Sequence, residues 1–152
     1  MSIDTSRRAF LGAAGLGAGA LLAGAVPAVA AEPDPAKVNG KVVSDFCAAW
    51  STRDLTRILP FLSDDCVYRM TETTPAVTGH QGVSDRLKQW LEDSSLVEFR
   101  VLDLKAVGPI VIAHRIDRFL TKQPLTWEGV GVFFVKDGKI KEWSDYTIRV
   151  QR

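Results

Sequence analysis

Histidine, cysteine, methionine and tyrosine are all scarce in this chain, at two residues each among 152. Two His and two Cys argue against a zinc site built from them. An excess of one charge sign is also missing, since 19 basic residues face 18 acidic ones. With Asp4, Arg7 and Arg8 set aside, the two signs are equal in number. A chain so balanced has no electrostatic footprint for DNA, RNA or an anionic membrane. Long apolar runs are absent beyond the first thirty residues, and so are repeats and low-complexity segments. What remains is an ordinary globular composition, 46% hydrophobic and 24% charged, on a one-domain length.

The first thirty residues stand apart. Ser6-Arg7-Arg8-Ala9-Phe10-Leu11 precedes a charge-free stretch of Ala and Gly with a few Leu, ending at Ala28-Val29-Ala30. Paired arginines before a Gly-rich, weakly apolar core resemble a twin-arginine signal peptide, and the small residues offer a cleavage site before Ala31. The expectation is a signal over 1–30, a linker over 31–37 and one domain over 38–152. The mature protein is then periplasmic or extracellular, with no stable membrane insertion. A twin-arginine cargo crosses the membrane already folded, so the domain is expected to fold alone.

Within the domain the hydrophobic period changes. Val38, Val42, Val43, Phe46, Cys47 and Trp50 recur at helical spacing. Asp54 is placed to cap a short second helix carrying Leu55, Ile58 and Leu59, which Pro60 bends or ends. A short strand over Cys66–Met70 and a loop over Thr71–Thr78 lead to a third helix from Gly79 to Glu92. From Leu96 the period is two. Strands are expected over 96–107, 110–120, 126–135 and 139–150, with turns at Gly108-Pro109 and Asp137-Gly138. The order α-α-β-α-β-β-β-β predicts an α+β domain, a curved mixed sheet forming a cone against N-terminal helices, with room for a pocket inside.

One strand breaks the rule that charge stays outside. Arg115 and Asp117 alternate onto the face of Ala113 and Phe119, and Asp145 onto the face of Trp143. If the apolar members face inward, two carboxylates and a guanidinium share the interior. Burying an unpaired carboxylate costs several kcal/mol, so the three must pair. One planar guanidinium can hold two carboxylates, and of two close carboxylates one tends to keep its proton. Such a pair is an acid beside a base. Spacing alone also admits a structural ion-pair network.

These residues carry a resemblance. Arg115-Ile116-Asp117, Gly131-Val132-Phe133, Asp137-Gly138-Lys139-Ile140 and Trp143-Ser144-Asp145-Tyr146, with Asp64-Asp65-Cys66-Val67-Tyr68 upstream, resemble the limonene-1,2-epoxide hydrolase family. The match of order runs from about Val38 to Tyr146. The resemblance implies the cystatin-like cone of nuclear transport factor 2-like and SnoaL-like proteins. It implies Asp145 as general base, Asp117 as general acid, Arg115 as their bridge and Tyr68 as a partner of the attacking water. It further implies a small lipophilic epoxide as substrate, no cofactor or metal, and a homodimer. Met70, Phe119, Trp143 and Trp127 are the expected pocket walls. One position departs: Met70 stands where the family usually has an Asn that holds the water, and Thr71 or Glu72 is a candidate substitute. Competing readings are an isomerase or cyclase of the ketosteroid isomerase or SnoaL kind, a non-catalytic binding module, and a small domain serving dimer assembly. Among the other candidates, His114 is expected on the opposite face and His80 at the surface. Trp50 and Trp90 are expected in the core, Glu128 exposed, and Cys47 and Cys66 either bridged or buried as free thiols.

Overall fold

The structure, a computed structural model, describes residues 33–152. The expected signal over 1–30 and the first residues of the linker lie outside the described residues. The linker's other end is helix. Helix α1 spans Pro35–Ala49 and starts earlier than the apolar spacing indicates, because the Asp34 carboxylate accepts from the Ala36 N–H at 3.0 Å and Pro35 occupies the first turn. Helix α2, Leu55–Ile58, is capped by Asp54 as expected, and Pro60 sits in the short 3₁₀ turn that follows. Helix α3 spans Gly79–Asp93.

Six strands form one sheet. They are β1 (Leu62–Arg69), β2 (Val77–Thr78), β3 (Leu96–Val107), β4 (Ile110–Leu120), β5 (Leu125–Lys136) and β6 (Lys139–Gln151), in the order β2-β1-β6-β5-β4-β3. Two details correct the sequence reading. Strand β1 begins four residues before Cys66 and ends at Arg69, which leaves Met70 in the turn beyond it. The expected loop over Thr71–Thr78 ends in β2, which pairs with β1 through Val67–Thr78 and Tyr68–Val77. The hairpin at Asp137-Gly138 has positive φ at both residues, 52° and 71°, the geometry that matches the twist of the flanking strands.

Strands β3 to β6 form an antiparallel meander, and β6 also pairs in parallel with β1, Tyr68 opposite Trp143. This closure ties the front of the domain to its back within the sheet. Irregularities in pairing at Val101/Asp103 and Glu128/Gly129 interrupt the ladder, as expected for a sheet that bends around its contents. Helix α1 lies across the concave face with Val43, Phe46 and Cys47 buried. The Phe46 ring meets Trp50, Phe133 and Trp143 edge-on at 6.0, 6.0 and 5.1 Å. That aromatic layer closes one end of the cone and leaves the other open.

Candidate active site

The inward face of β4 carries Ala113, Arg115 and Asp117, all buried, and β6 places Trp143 and Asp145 inward as well. Arg115 is 0% exposed, Asp117 4% and Asp145 5%. The alternation that put three charges on an apolar face is therefore real, and pairing is what makes it tolerable. Arg115 Nε donates to both Asp117 carboxylate oxygens at 3.0 Å, and Nη2 donates to Asp145 Oδ1 at 2.8 Å. Trp143 Nε1 donates to the same Asp145 oxygen at 2.8 Å. The protein hydrogen bonds to Asp145 thus fall on Oδ1, and Oδ2 is left to accept from something else.

Arg115 and Asp145 do not belong to neighbouring strands. β5 lies between them, so the guanidinium must cross a full strand, about 4.8 Å on either side. Two glycines open the way. Gly129 is the register partner of Arg115 and Thr147, and Gly131 that of Ala113 and Asp145. A Cβ added at Gly131 would lie 2.0 Å from Arg115 Nη1, inside the guanidinium. At Gly129 it would lie 2.1 Å from the Trp127 indole and 2.4 Å from the Tyr146 carbonyl oxygen. The missing side chains are the bed on which Arg115 and Trp127 rest. Gly131→Ala is therefore expected to displace the guanidinium, costing about 1–3 kcal/mol of stability and separating Asp145 from Asp117. Thermal unfolding together with turnover checks this, and an unchanged variant would refute the role given to Gly131.

Aromatic faces complete the enclosure. The Arg115 guanidinium carbon is 5.0 Å from the Phe99 ring centroid and 5.0 Å from that of Trp127. Trp127 Nε1 donates to Thr147 Oγ1 at 3.1 Å, which holds the indole flat. Burial pushes the Asp117 carboxyl up to about 7, with Arg115 pulling it down and Asp145 pushing it further up. Burial also raises Asp145, opposed by Arg115 and by the hydrogen bonds from Trp143 and Arg115. One guanidinium with one carboxylate and one neutral carboxyl is uncharged overall, the least costly state for a buried trio. Two donors on Asp145 Oδ1 favour the charge there and the proton on Asp117.

The two carboxyls of the trio face a cavity of about 200 Å³. Tyr68, Met70, Phe119, Trp127 and Trp143 line it with Asp117 and Asp145. Tyr68 is buried, stacks on Trp143 at 3.9 Å between centroids, and stays a neutral phenol because burial raises its pKa. Of the two candidates for the Asn role, Thr71 lines the cavity and Glu72 does not. Glu72 is exposed because β1 ends before it, and its carboxylate accepts from the Thr147 backbone N–H. Thr147 also lines the cavity and was not read from the sequence.

The remaining candidates sort simply. Trp50 is core and also a cavity wall, whereas Trp90 is 38% exposed at the rim, since α3 turns that side outward. Cys47 and Cys66 are both free and buried, and burial pushes each thiol up to about 12. His114 faces away from the cavity and meets Glu128 at 3.2 Å, and Glu128 also pairs with Arg149, so Glu128 is half-buried rather than exposed. His80 is half-buried at the start of α3, its Nε2 3.1 Å from the Leu62 carbonyl oxygen.

N-terminal helices packed on a curved six-stranded sheet are the nuclear transport factor 2-like cone fold. The family model of the SnoaL-like domain matches residues 43–143, and the chain belongs to that family. Solved structures share the fold. One is an LEH-like epoxide hydrolase of M. tuberculosis, 23% identical, with a TM-score of 0.67 over 75% of this chain and 85% of that one. A protein of Xanthomonas campestris pv. campestris described as a polyketide cyclase is 20% identical, with a TM-score of 0.65 over 74% and 92% of the two chains. A protein of Catenulispora acidiphila with a ketosteroid isomerase-like fold is 16% identical, with a TM-score of 0.63 over 70% and 84%. No curated protein matches the chain in sequence.

Proposed function

We propose that the protein hydrolyses an epoxide to a vicinal diol. The observation that carries this reading is the single guanidinium bridging two buried carboxyls at the wall of an apolar cavity. Epoxide opening needs a nucleophile at carbon and a proton for the departing oxygen in the same step. Asp145 Oδ2 takes a proton from a bound water as its oxygen attacks a ring carbon. The carbon–oxygen bond breaks, and Asp117 gives its proton to the leaving oxygen. Asp145 ends protonated and Asp117 ionised, and one proton transfer between them restores the starting state. Tyr68 and Thr71 supply polar groups for the water in the absence of an Asn at position 70. An isomerase of the ketosteroid kind fits less well. It uses a lone carboxylate base and a separate oxyanion hole, and here one guanidinium ties the two carboxyls into a single unit, which suits a coupled acid and base.

The test is diol formation from limonene oxide, styrene oxide and a bulky lipophilic epoxide, with Asp145→Asn alongside. Turnover that vanishes in the variant supports the reading. A folded protein that turns over none of them counts against it.

We also propose that residues 1–30 direct export by the twin-arginine route, and that the mature protein is a periplasmic or extracellular homodimer. Paired Arg7-Arg8 supports the first part. An apolar strip on the outer sheet face, where Ile112 is the register partner of Val132 and Val130 that of Tyr146, supports the second. Retention in the cytoplasm of the wild type, or a monomer by sedimentation, would contradict these.

A further inference from the structure

Where the apolar cavity ends, a larger space begins. An outer groove of about 600 Å³ is lined by Gln89, Asp93, Lys122 and Gln123, and it shares Trp90, Leu125 and Arg152 with the inner cavity. The two spaces differ in chemistry: aromatic walls around the carboxyl pair, then amides and charges. The inner cavity alone is smaller than the roughly 300 Å³ at the low end of small-molecule sites. A substrate longer than that cavity must therefore continue into the groove.

The groove carries two cations, Lys122 and Arg152, against one carboxylate, Asp93. Lys41, Lys88, Lys105, Arg118, Lys141 and Arg149 each have a carboxylate partner within 4 Å. Among the described residues Lys122 and Arg152 have none, as is true of Lys37, Arg53, Arg69, Arg86, Arg100, Lys136 and Lys139, but of these only Lys122 and Arg152 line the groove, beside the single carboxylate of Asp93. Two unpaired cations at the rim of an apolar chamber recognise an anion attached to an apolar body.

We propose that the outer groove is a head-group subsite, and that the substrate is an amphiphile: its apolar part fills the inner cavity while Lys122 and Arg152 hold an anionic head. The proposal rests on the epoxide hydrolase reading only for the group that reacts. Distance along β4 sets the scale. Asp117 and Leu120 are three residues apart on that strand, roughly 10 Å at ~3.4 Å per residue, and Lys122 lies beyond. The reacting carbon and the head are separated by a chain of about that length.

Binding separates this proposal from turnover. A 12-carbon saturated carboxylate, its primary amide and its primary amine are titrated into the wild-type protein, followed by tryptophan fluorescence, to which the rim residue Trp90 contributes. The carboxylate is expected to bind about 3- to 5-fold more tightly than the amide, as for exposed ion pairs, with the amine weakest. In Lys122→Gln/Arg152→Gln the preference disappears while the amide's affinity stays, which shows that the cavity is intact. Equal binding of carboxylate and amide, preference for the amine, or a preference that survives the double substitution would overturn the proposal. Chain-matched epoxides complete the separation. Carboxylate preference without diol formation removes the hydrolase reading and leaves the subsite, whereas diol formation without any head-group preference does the reverse.

Discussion

Replacing Arg115 by Met will destabilise the protein by about 3–5 kcal/mol at neutral pH, the range for breaking a buried ion pair from one side. Arg115 is fully buried and is the shared partner of Asp117 and Asp145. Without it both carboxyls must keep their protons to stay inside. In the unfolded chain they release those protons near the ordinary carboxyl value of 3.8. The sign follows from linkage. Where the folded state binds more protons than the unfolded one, stability falls as pH rises. In the wild type Asp117 contributes such a fall from about pH 4 to its raised value of about 7, and none above it. In the variant two carboxyls lack their cation, so the deficit is smallest near pH 4 and grows toward neutrality. Urea unfolding at several pH values checks this. Arg115→Lys will not restore function, because a single ammonium cannot reproduce a planar fork that reaches two strands. A small, pH-independent loss in Arg115→Met would show that the trio is not a coupled unit.

The second large effect is on turnover. Asp145→Asn keeps an oxygen that can accept from Trp143 Nε1 and Arg115 Nη2, so the fold is retained. It puts an NH₂ group in place of Oδ2, the atom that takes the water's proton in the proposed reaction, and a donor there cannot take a proton. Asp117→Asn likewise holds its place but has no acidic proton to give. Each is expected to lower kcat by about 10²–10⁴-fold, the usual range for general acid–base catalysis. The wild-type pH profile is expected to be bell-shaped. Its alkaline limb falls near pH 7, as Asp117 loses the proton it must donate. Its acid limb lies above the ordinary carboxyl range, because burial raises Asp145. Both limbs belong to the coupled pair rather than to either residue alone. Activity that rises without limit toward alkaline pH would remove Asp117 as the acid.

Much of this site was legible because strand alternation is local. Period two alone put Arg115, Asp117 and Asp145 inside, and the hairpin at Asp137-Gly138 needed only its dipeptide. What joins them is not local. The parallel pairing of β1 with β6 sets Tyr68 against Trp143, and no pattern within either segment announces it. Strand β2 is two residues long and has no periodicity to detect. Gly129 and Gly131 were not singled out in the sequence, although two glycines spaced two apart on one strand are a sign of close approach. What approached them, Arg115 and Trp127, depended on the sheet order. Thr147 and Trp90 were misjudged or missed for a related reason. Their exposure is set by the open end of the cone, which the sequence of any one element does not encode.

The most direct test of the central claim is a single turnover in H₂¹⁸O with enzyme in excess over epoxide. Water activated by Asp145 predicts one ¹⁸O atom in the diol and none in the protein, with no labelled product from Asp145→Asn. Label in an Asp carboxyl with unlabelled diol from the first turnover would mean a covalent ester mechanism, and would contradict the account.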